Sequence, residues 1–305
     1  MDYEDDEQNS RKNPPSNRII YSLPCRLGLW QNEEEIRQSK CKAIENKRDN
    51  CQMLVQLTKK MVRNMLKPVG LEVEEACMFY GKNYMIKSSG FNNVKYVDCS
   101  KGLYLTGLIT EKELPTCQHF RHGCGLSASP MEESFTRNSF ALIKYSSYPG
   151  NKVGDPVYYG EDIMIKISKS QVPLYVQCEN HTIDTFGSHL SLRLTSIPDV
   201  YCKFKVFHWN PQKRQEFLGT TFTPRTKVVI QHTASGQNLA VETLSWMPTF
   251  FGPECNVSCH TYLDSHKMET DENFWMFKNA HRVQVLNRMF HMAAQEEETN
   301  NNSTL

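Results

Sequence analysis

The chain has 305 residues, of which 39% are hydrophobic and 23% charged, a composition typical of globular proteins with one large domain or two small ones. Its 35 basic and 34 acidic side chains nearly cancel, which argues against a dedicated nucleic-acid binder. The longest apolar run, residues 76–80, is far shorter than the roughly twenty residues that cross a bilayer, and the acidic N-terminus does not resemble a secretory signal. We therefore expect neither nucleic acid nor membrane as a partner.

The N-terminal region predicts a disordered start followed by a helical arm. Residues 1–27 are acidic, polar and interrupted by prolines, which is typical of disorder. A helical pattern begins at Asn32, which suits an N-cap because three glutamates follow it. Pro68 and Gly70 end the pattern, so the arm is assigned to residues 28–70. An apolar stripe at helical spacing lies on it: Leu54, Leu57, Met61 and Met65.

This helical region has two open interpretations. Its apolar stripe most simply packs on the chain's own domain, and a partner groove is the alternative. Between Lys47 and Lys67 there are six basic residues and a single acid, Asp49. A solvated helix face explains this charge most simply, whereas a contact with an acidic partner surface is the sharper hypothesis.

Residues 71–280 predict a mainly β domain. Short runs rich in aromatic and β-branched residues alternate with turn residues, and no helical pattern separates them, which indicates a barrel or sandwich. The runs are Tyr84–Lys87, Leu103–Leu108, Phe140–Tyr145, Ile163–Ile167, Leu174–Cys178, Leu190–Leu194, Phe204–Trp209, Val228–His232 and Phe274–Phe277.

An internal repeat narrows the fold class. The pattern Tyr-Gly-x-x-x-Met-Ile-Lys occurs at Tyr80–Lys87 and again at Tyr159–Lys166, with a weaker third copy at Thr226–His232. Each copy is followed by a second apolar triplet and then by an aromatic strand. Three such units predict a β-trefoil core. Residues 281–305 then show a short helical pattern and a Glu- and Asn-rich tail that we expect to be disordered.

Two clusters contain residue types that bind metals or transfer protons. The stretch Cys117–Cys124 holds two cysteines and two histidines, but four ligands this close strain a tetrahedral zinc shell. The stretch Cys255–His266 adds histidines and an aspartate, which also cap turns in β proteins. No phosphate loop, nucleophile elbow or zinc-protease helix is present. We therefore assign no catalytic, cofactor-binding or metal-binding residue, and expect the eleven cysteines to be free thiols.

The sequence resembles the cilia- and flagella-associated protein 161 family in the same order from about residue 26 to residue 280. Gly123 stands where that family has proline, and neither the acidic N-terminal extension nor the Cys117–His122 loop has a counterpart there. The stretches that carry the resemblance are Gly28–Glu33, Cys124–Ala128, Arg137–Phe140, Tyr159–Asp162, His260–His266 and Asn273–Met276.

The resemblance implies a MIR-like β-trefoil and a non-enzymatic, structural role. It implies a microtubule inner protein in the lumen of the A-tubule of axonemal doublets, where it braces the lattice of the beating cilium or flagellum. The implied partners are tubulin and neighbouring inner proteins. The family has no catalytic residues that would carry over to this chain.

Two other classes of function stay open from the sequence. One is a ligand-binding trefoil of carbohydrate type, in which Tyr84, Tyr159 and Trp209 would line shallow sites, although each is more simply a strand residue. The other is an enzyme that uses the Cys255–His266 cluster or a zinc site.

Overall fold

The computed structural model describes the backbone of residues 23–31 and all atoms of residues 32–73, 76–89, 102–145, 154–179 and 189–280. The predicted tail at 281–305 and most of the predicted disordered start lie outside these residues. The chain divides into two units, Met1–Met53 and Leu54–Leu305. Among the described residues, no helix is long and apolar enough to cross a bilayer.

In the first unit, the described residues form the helix α1 (Leu23–Asp49). It begins before Asn32, so the predicted N-cap is wrong and the helical arm starts earlier than residue 28. It also ends earlier than predicted, because Cys51 adopts a left-handed conformation with φ of 55°. The Gln52 N–H donates to the Lys47 carbonyl at 2.7 Å and the Cys51 N–H to the Arg48 carbonyl at 3.1 Å. These are the two hydrogen bonds of a Schellman motif, which ends the helix.

The second helix, α2 (Leu54–Met65), belongs to the β unit. Met61 and Met65 are buried in the hydrophobic core, and Leu57 packs against it. The expected packing of the apolar stripe on the chain's own domain is therefore confirmed, whereas Leu54 is exposed. The boundary predicted between residues 70 and 71 falls instead after Met53, because burial of the two methionines fixes α2 to the sheet.

The second unit is mainly β, and its described residues contain twelve strands in one antiparallel sheet. Every run assigned to a strand from the sequence coincides with one of them. The strands are β1 (Asn83–Ser88), β2 (Tyr104–Leu108), β3 (Gly125–Ser129), β4 (Phe140–Lys144), β5 (Asp162–Ile167), β6 (Tyr175–Cys178), β7 (Leu190–Thr195), β8 (Phe204–His208), β9 (Lys227–His232), β10 (Leu239–Thr249), β11 (Gly252–Cys259) and β12 (Phe274–Lys278). A short helix, α3 (Arg214–Phe217), follows β8.

Six of the strands close into a ring. Strand pairing runs from β1 to β4, β5, β8, β9 and β12 and returns to β1. The other six strands form the hairpins β2–β3, β6–β7 and β10–β11. These hairpins pair with one another through β3, β7 and β11. Closure leaves the ring without a free edge.

The pairing between an opening strand and a closing strand has the same register at three places in the ring. The opening strands β1, β5 and β9 share one burial pattern, in which the second to fourth and the sixth residues are buried. Each places its second residue opposite a buried aromatic residue of the closing strand: Tyr84 opposite Phe140, Ile163 opposite Phe204 and Val228 opposite Trp275. The repeat seen in the sequence is therefore a repeat of core positions.

A left-handed residue precedes each opening strand. Gly81 and Gly160 have φ of 77° and 81°, a conformation that costs glycine little. In the third unit Arg225 takes this place with φ of 68°, which explains why the third copy lacks the Tyr-Gly signature. The N–H of each donates to the adjacent closing strand: Gly81 to the Leu142 carbonyl, Gly160 to Val206 and Arg225 to Phe277.

Candidate functional site

A buried ion pair lies where the hairpins meet the ring. Arg137, just before β4, and Glu254 of β11 are both fully buried, and Arg137 Nη2 lies 2.7 Å from Glu254 Oε1. Ser127 of β3 donates to Glu254 Oε2 at 2.6 Å. Arg137 Nη2 also lies 3.2 Å from Thr106 Oγ1 on β2. One guanidinium therefore connects two hairpins to the loop that enters the ring.

The surroundings of Arg137 explain how a charge is tolerated there. Its guanidinium carbon lies 3.8 Å from the centre of the Phe251 ring, a cation–π contact. Burial lowers the pKa of Arg137, and the Glu254 carboxylate opposes that shift. Arg137 Nε and Nη1 find no protein acceptor among the described residues. Such a pair stabilises little by itself, but breaking it leaves an uncompensated buried charge.

Two stretches that carry the family resemblance converge at this pair. Cys124–Ala128 supplies Ser127, and Arg137–Phe140 supplies Arg137 with Asn138. The Asn138 side chain holds the turn before β4, because its Oδ1 accepts from the Phe135 N–H at 2.7 Å and its Nδ2 donates to the Glu133 carbonyl at 2.7 Å. The residues of these two motifs therefore hold the strands and the turn before β4 in place.

The predicted Cys255–His266 cluster divides into separate local roles. His260 stacks on His189 with ring centres 3.9 Å apart. His189 Nδ1 lies 2.8 Å from Glu242 Oε1, and Tyr262 donates to Glu242 Oε2 at 2.5 Å. Burial, followed by the nearby His189, lowers the pKa of His260.

Asp264 and His266 of this cluster lie in the turn after β11, whereas Cys255 and Cys259 are buried in the core. Asp264 Oδ1 accepts from the backbone N–H groups of His266 and Met268 at 2.8 and 2.9 Å, as expected for a turn-capping residue. Cys255 instead donates to the Glu242 carbonyl. Within the described part of the chain, no three histidine, cysteine or carboxylate side chains are arranged to hold a metal ion.

The Cys117–Cys124 loop is likewise held by neighbours outside it. Asn64 of α2 donates to the Gln118 carbonyl and lies 3.0 Å from His119 Nε2. His122 Nδ1 lies 3.2 Å from Thr195 Oγ1 on β7. Both cysteines are buried thiols, and burial raises the pKa of Cys124 to about 12. The two histidines therefore face different elements.

The aromatic residues considered for ligand binding have different positions. Tyr84 and Tyr159 belong to the hydrophobic core, so neither ring is available to a ligand. Trp209 is 39% exposed at the end of β8. Its ring lies edge-on to Phe274 and 5.5 Å from Lys227 Nζ.

Comparison with known proteins identifies the family. The sequence profile of the cilia- and flagella-associated protein 161-like domain matches residues 57–192 and 185–280, which is most of the β unit. The chain belongs to the cilia- and flagella-associated protein 161 family.

Relatives in this family match most of the chain. Cilia- and flagella-associated protein 161 of Bos taurus is 27% identical over 269 residues, covering 84% of this chain and 81% of its own. The Danio rerio protein of the same name is 24% identical and covers 93% of this chain and 96% of its own. Among solved structures, the SDF2-like protein of Arabidopsis thaliana aligns with a TM-score of 0.47 at 13% identity, covering 66% of this chain and 94% of its own.

Proposed function

We propose that the chain is a non-enzymatic microtubule inner protein that braces the luminal wall of axonemal doublet microtubules in cilia and flagella. Family membership across nearly all of the β unit carries this proposal. The partners would be tubulin and neighbouring inner proteins of the A-tubule. Two of the resemblance motifs meet at an interior arrangement, the Arg137–Glu254 pair, which suits a structural role.

We also propose that the β unit is a MIR-like β-trefoil. The closed six-stranded ring, the three mutually paired hairpins and the threefold repeat of register support this assignment. A closed ring has no unpaired strand edges, which suits the stiff domain that a lattice brace needs.

A repeating lattice makes weak contacts sufficient. A protein that touches several lattice subunits gains affinity through effective concentration, so each single contact can be small. In α1, most side chains from Asn32 onward are exposed, and Arg37 pairs with Glu34 on its surface. We propose that this helix is an arm that adds such contacts.

Salt extraction of axonemes, with the protein followed by mass spectrometry, tests the location. A luminal protein should remain through high-salt washes that remove surface complexes and be released only as doublets disassemble. Release in the first washes, or absence from purified axonemes, would contradict the proposal.

The arm is tested by deleting residues 1–53 from the chain expressed in ciliated cells. The cut lies before α2, because removing Met61 and Met65 would damage the core as well. We expect reduced incorporation into axonemes while the β unit stays folded. Unchanged incorporation would exclude α1 as a docking arm, and a variant that lacks residues 281–305 is a control for truncation itself.

The exposed Trp209 supports a second candidate function, a carbohydrate-type binding module. Aromatic rings at such positions stack on sugars, and Trp209 is held in place by Phe274 and Lys227. A glycan array probed with the full chain and with Trp209→Ala separates the two candidates. Binding that depends on Trp209 would favour this second function.

A further inference from the structure

A cleft with an uncompensated positive charge lies between α2, the Cys117–Cys124 loop and the β5–β6 turn. Its volume is about 620 Å³. We call it the basic cleft; its charged and polar lining includes Asn64, Lys67, His119, Thr136, Ser168 and Lys169. A second cavity of about 370 Å³ adjoins it and shares His119, Phe120 and Gln171 with it. The two cavities therefore form one elongated groove.

The charges along this groove have one sign. Lys67 and Lys169 line the basic cleft, and Arg121 lies in the adjoining cavity. None of the three forms an ion pair with a described residue, unlike the paired lysines elsewhere on the β unit. No carboxylate is among the described residues that line either cavity. Glu113, near Cys117, is engaged by the Thr110 N–H and hydroxyl.

Hydrogen-bond donors and an apolar floor complete the groove. The Ser168 Oγ atom is buried and finds no partner among the described residues. His119 Nε2 faces Asn64, and burial, followed by Lys67 and Lys60, lowers the pKa of this histidine. Phe120, almost fully buried, lies between the two cavities. Separate cations along an apolar floor match an extended chain with spaced carboxylates better than one compact anion.

We propose that the groove binds an extended acidic peptide segment of a partner protein, whose carboxylates pair with Lys67, Lys169 and Arg121. This inference goes beyond the ciliary role and does not depend on it. The sequence left two interpretations of the basic stretch that ends at Lys67, a solvated helix face or a contact with an acidic partner. The proposal favours the second interpretation for Lys67.

Fluorescence anisotropy with a labelled short polyglutamate peptide and the full chain tests the proposal. We expect saturable binding that weakens with salt and is weakened about tenfold or more in the double variant Lys67→Glu/Lys169→Glu. The control is Lys213→Glu/Lys267→Glu, which makes the same change in net charge outside the groove. All four lysines are exposed, so both variants should unfold at the temperature of the wild type.

Several results would overturn it. Equal weakening in both double variants would show only attraction by net charge, and wild-type protein that does not bind would exclude the site. Arg121→Glu should also weaken binding; no effect would confine the ligand to one cavity and contradict an extended peptide. Displacement of the peptide by inorganic phosphate at the same concentration would assign the cleft to a compact oxyanion instead.

Discussion

At the scale of single residues, the buried Arg137–Glu254 pair connects distant parts of the chain. The two residues are 117 positions apart in sequence, Arg137 just before β4 and Glu254 in β11. Because the two charges are fully buried, the β unit stays stable only while both are present. We expect the pair to favour this packing of the hairpins on the ring, because alternative packings would leave one buried charge without its partner.

Replacing Glu254 with glutamine should destabilise the β unit strongly. The neutral amide leaves the Arg137 guanidinium uncompensated in the interior, and we expect a loss of about 3–5 kcal/mol in the free energy of unfolding, measured by urea denaturation. The matched control is Asp271→Asn, which breaks the exposed pair with Lys227 and should cost under about 1 kcal/mol. Equal, small losses in both variants would contradict the structural role assigned to the buried pair.

His260 should make stability depend on pH on the acid side. Its pKa lies below the ordinary value of 6.5, so the unfolded chain takes up the proton first as the pH falls. His260 therefore contributes stability that is present above pH 6.5 and is lost as the pH falls toward its folded pKa. The groups that face it are His189, Glu242 and Tyr262.

The change that tests this is His260→Phe, which keeps an aromatic ring for stacking on His189. Unfolding free energies of the variant should fall less than those of the wild type between neutral pH and about pH 5. Parallel pH profiles for the two proteins would show that His260 does not titrate as described.

At the scale of secondary-structure elements, the packing of α2 separates the helical region into two parts. Its Met61 side chain is fully buried, whereas Val55 on the same helix is 77% exposed. The helix is therefore part of the β unit on one face and solvated on the other. Lys67 follows the end of this helix and lines the basic cleft.

Truncating Met61 or Val55 to alanine should show that the two faces of α2 contribute differently to the stability of the β unit. Met61→Ala should cost about 2–5 kcal/mol in the free energy of unfolding, because it leaves a cavity in the core. Val55→Ala should change it by less than about 0.5 kcal/mol. Similar costs for the two variants, measured by thermal or urea unfolding, would contradict the assignment of α2 to the β unit.

The strands differ in how readily the sequence predicts them. Runs such as Ile163–Ile167 are rich in β-branched and aromatic residues, so local pattern suffices. Of β10, only the apolar triplet at its start was noted. Strands β3 and β11 were missed, because Gly125–Ser129 contains mostly small residues and Gly252–Cys259 begins with glycine and proline. Both become buried only by pairing across hairpins, which is information from distant parts of the chain.

At the scale of the whole β unit, the threefold repeat could be predicted from the two copies whose sequences are alike. Tyr80–Lys87 and Tyr159–Lys166 share a left-handed glycine and the same buried positions. The third copy has the same buried positions, but Arg225 replaces the glycine, so its sequence does not show the repeat. The sequence could not predict the ion pair or the groove. Each brings together residues that are far apart in sequence, so no local spacing predicts those contacts.

The most direct test of the structural role is cryo-electron tomography of doublet microtubules from cilia that contain the protein and from cilia that lack it. We expect a difference density inside the A-tubule, against its luminal wall, that fits the closed ring with its three hairpins. Density on the outer surface, or no difference between the two samples, would contradict the claim that this chain braces the lumen.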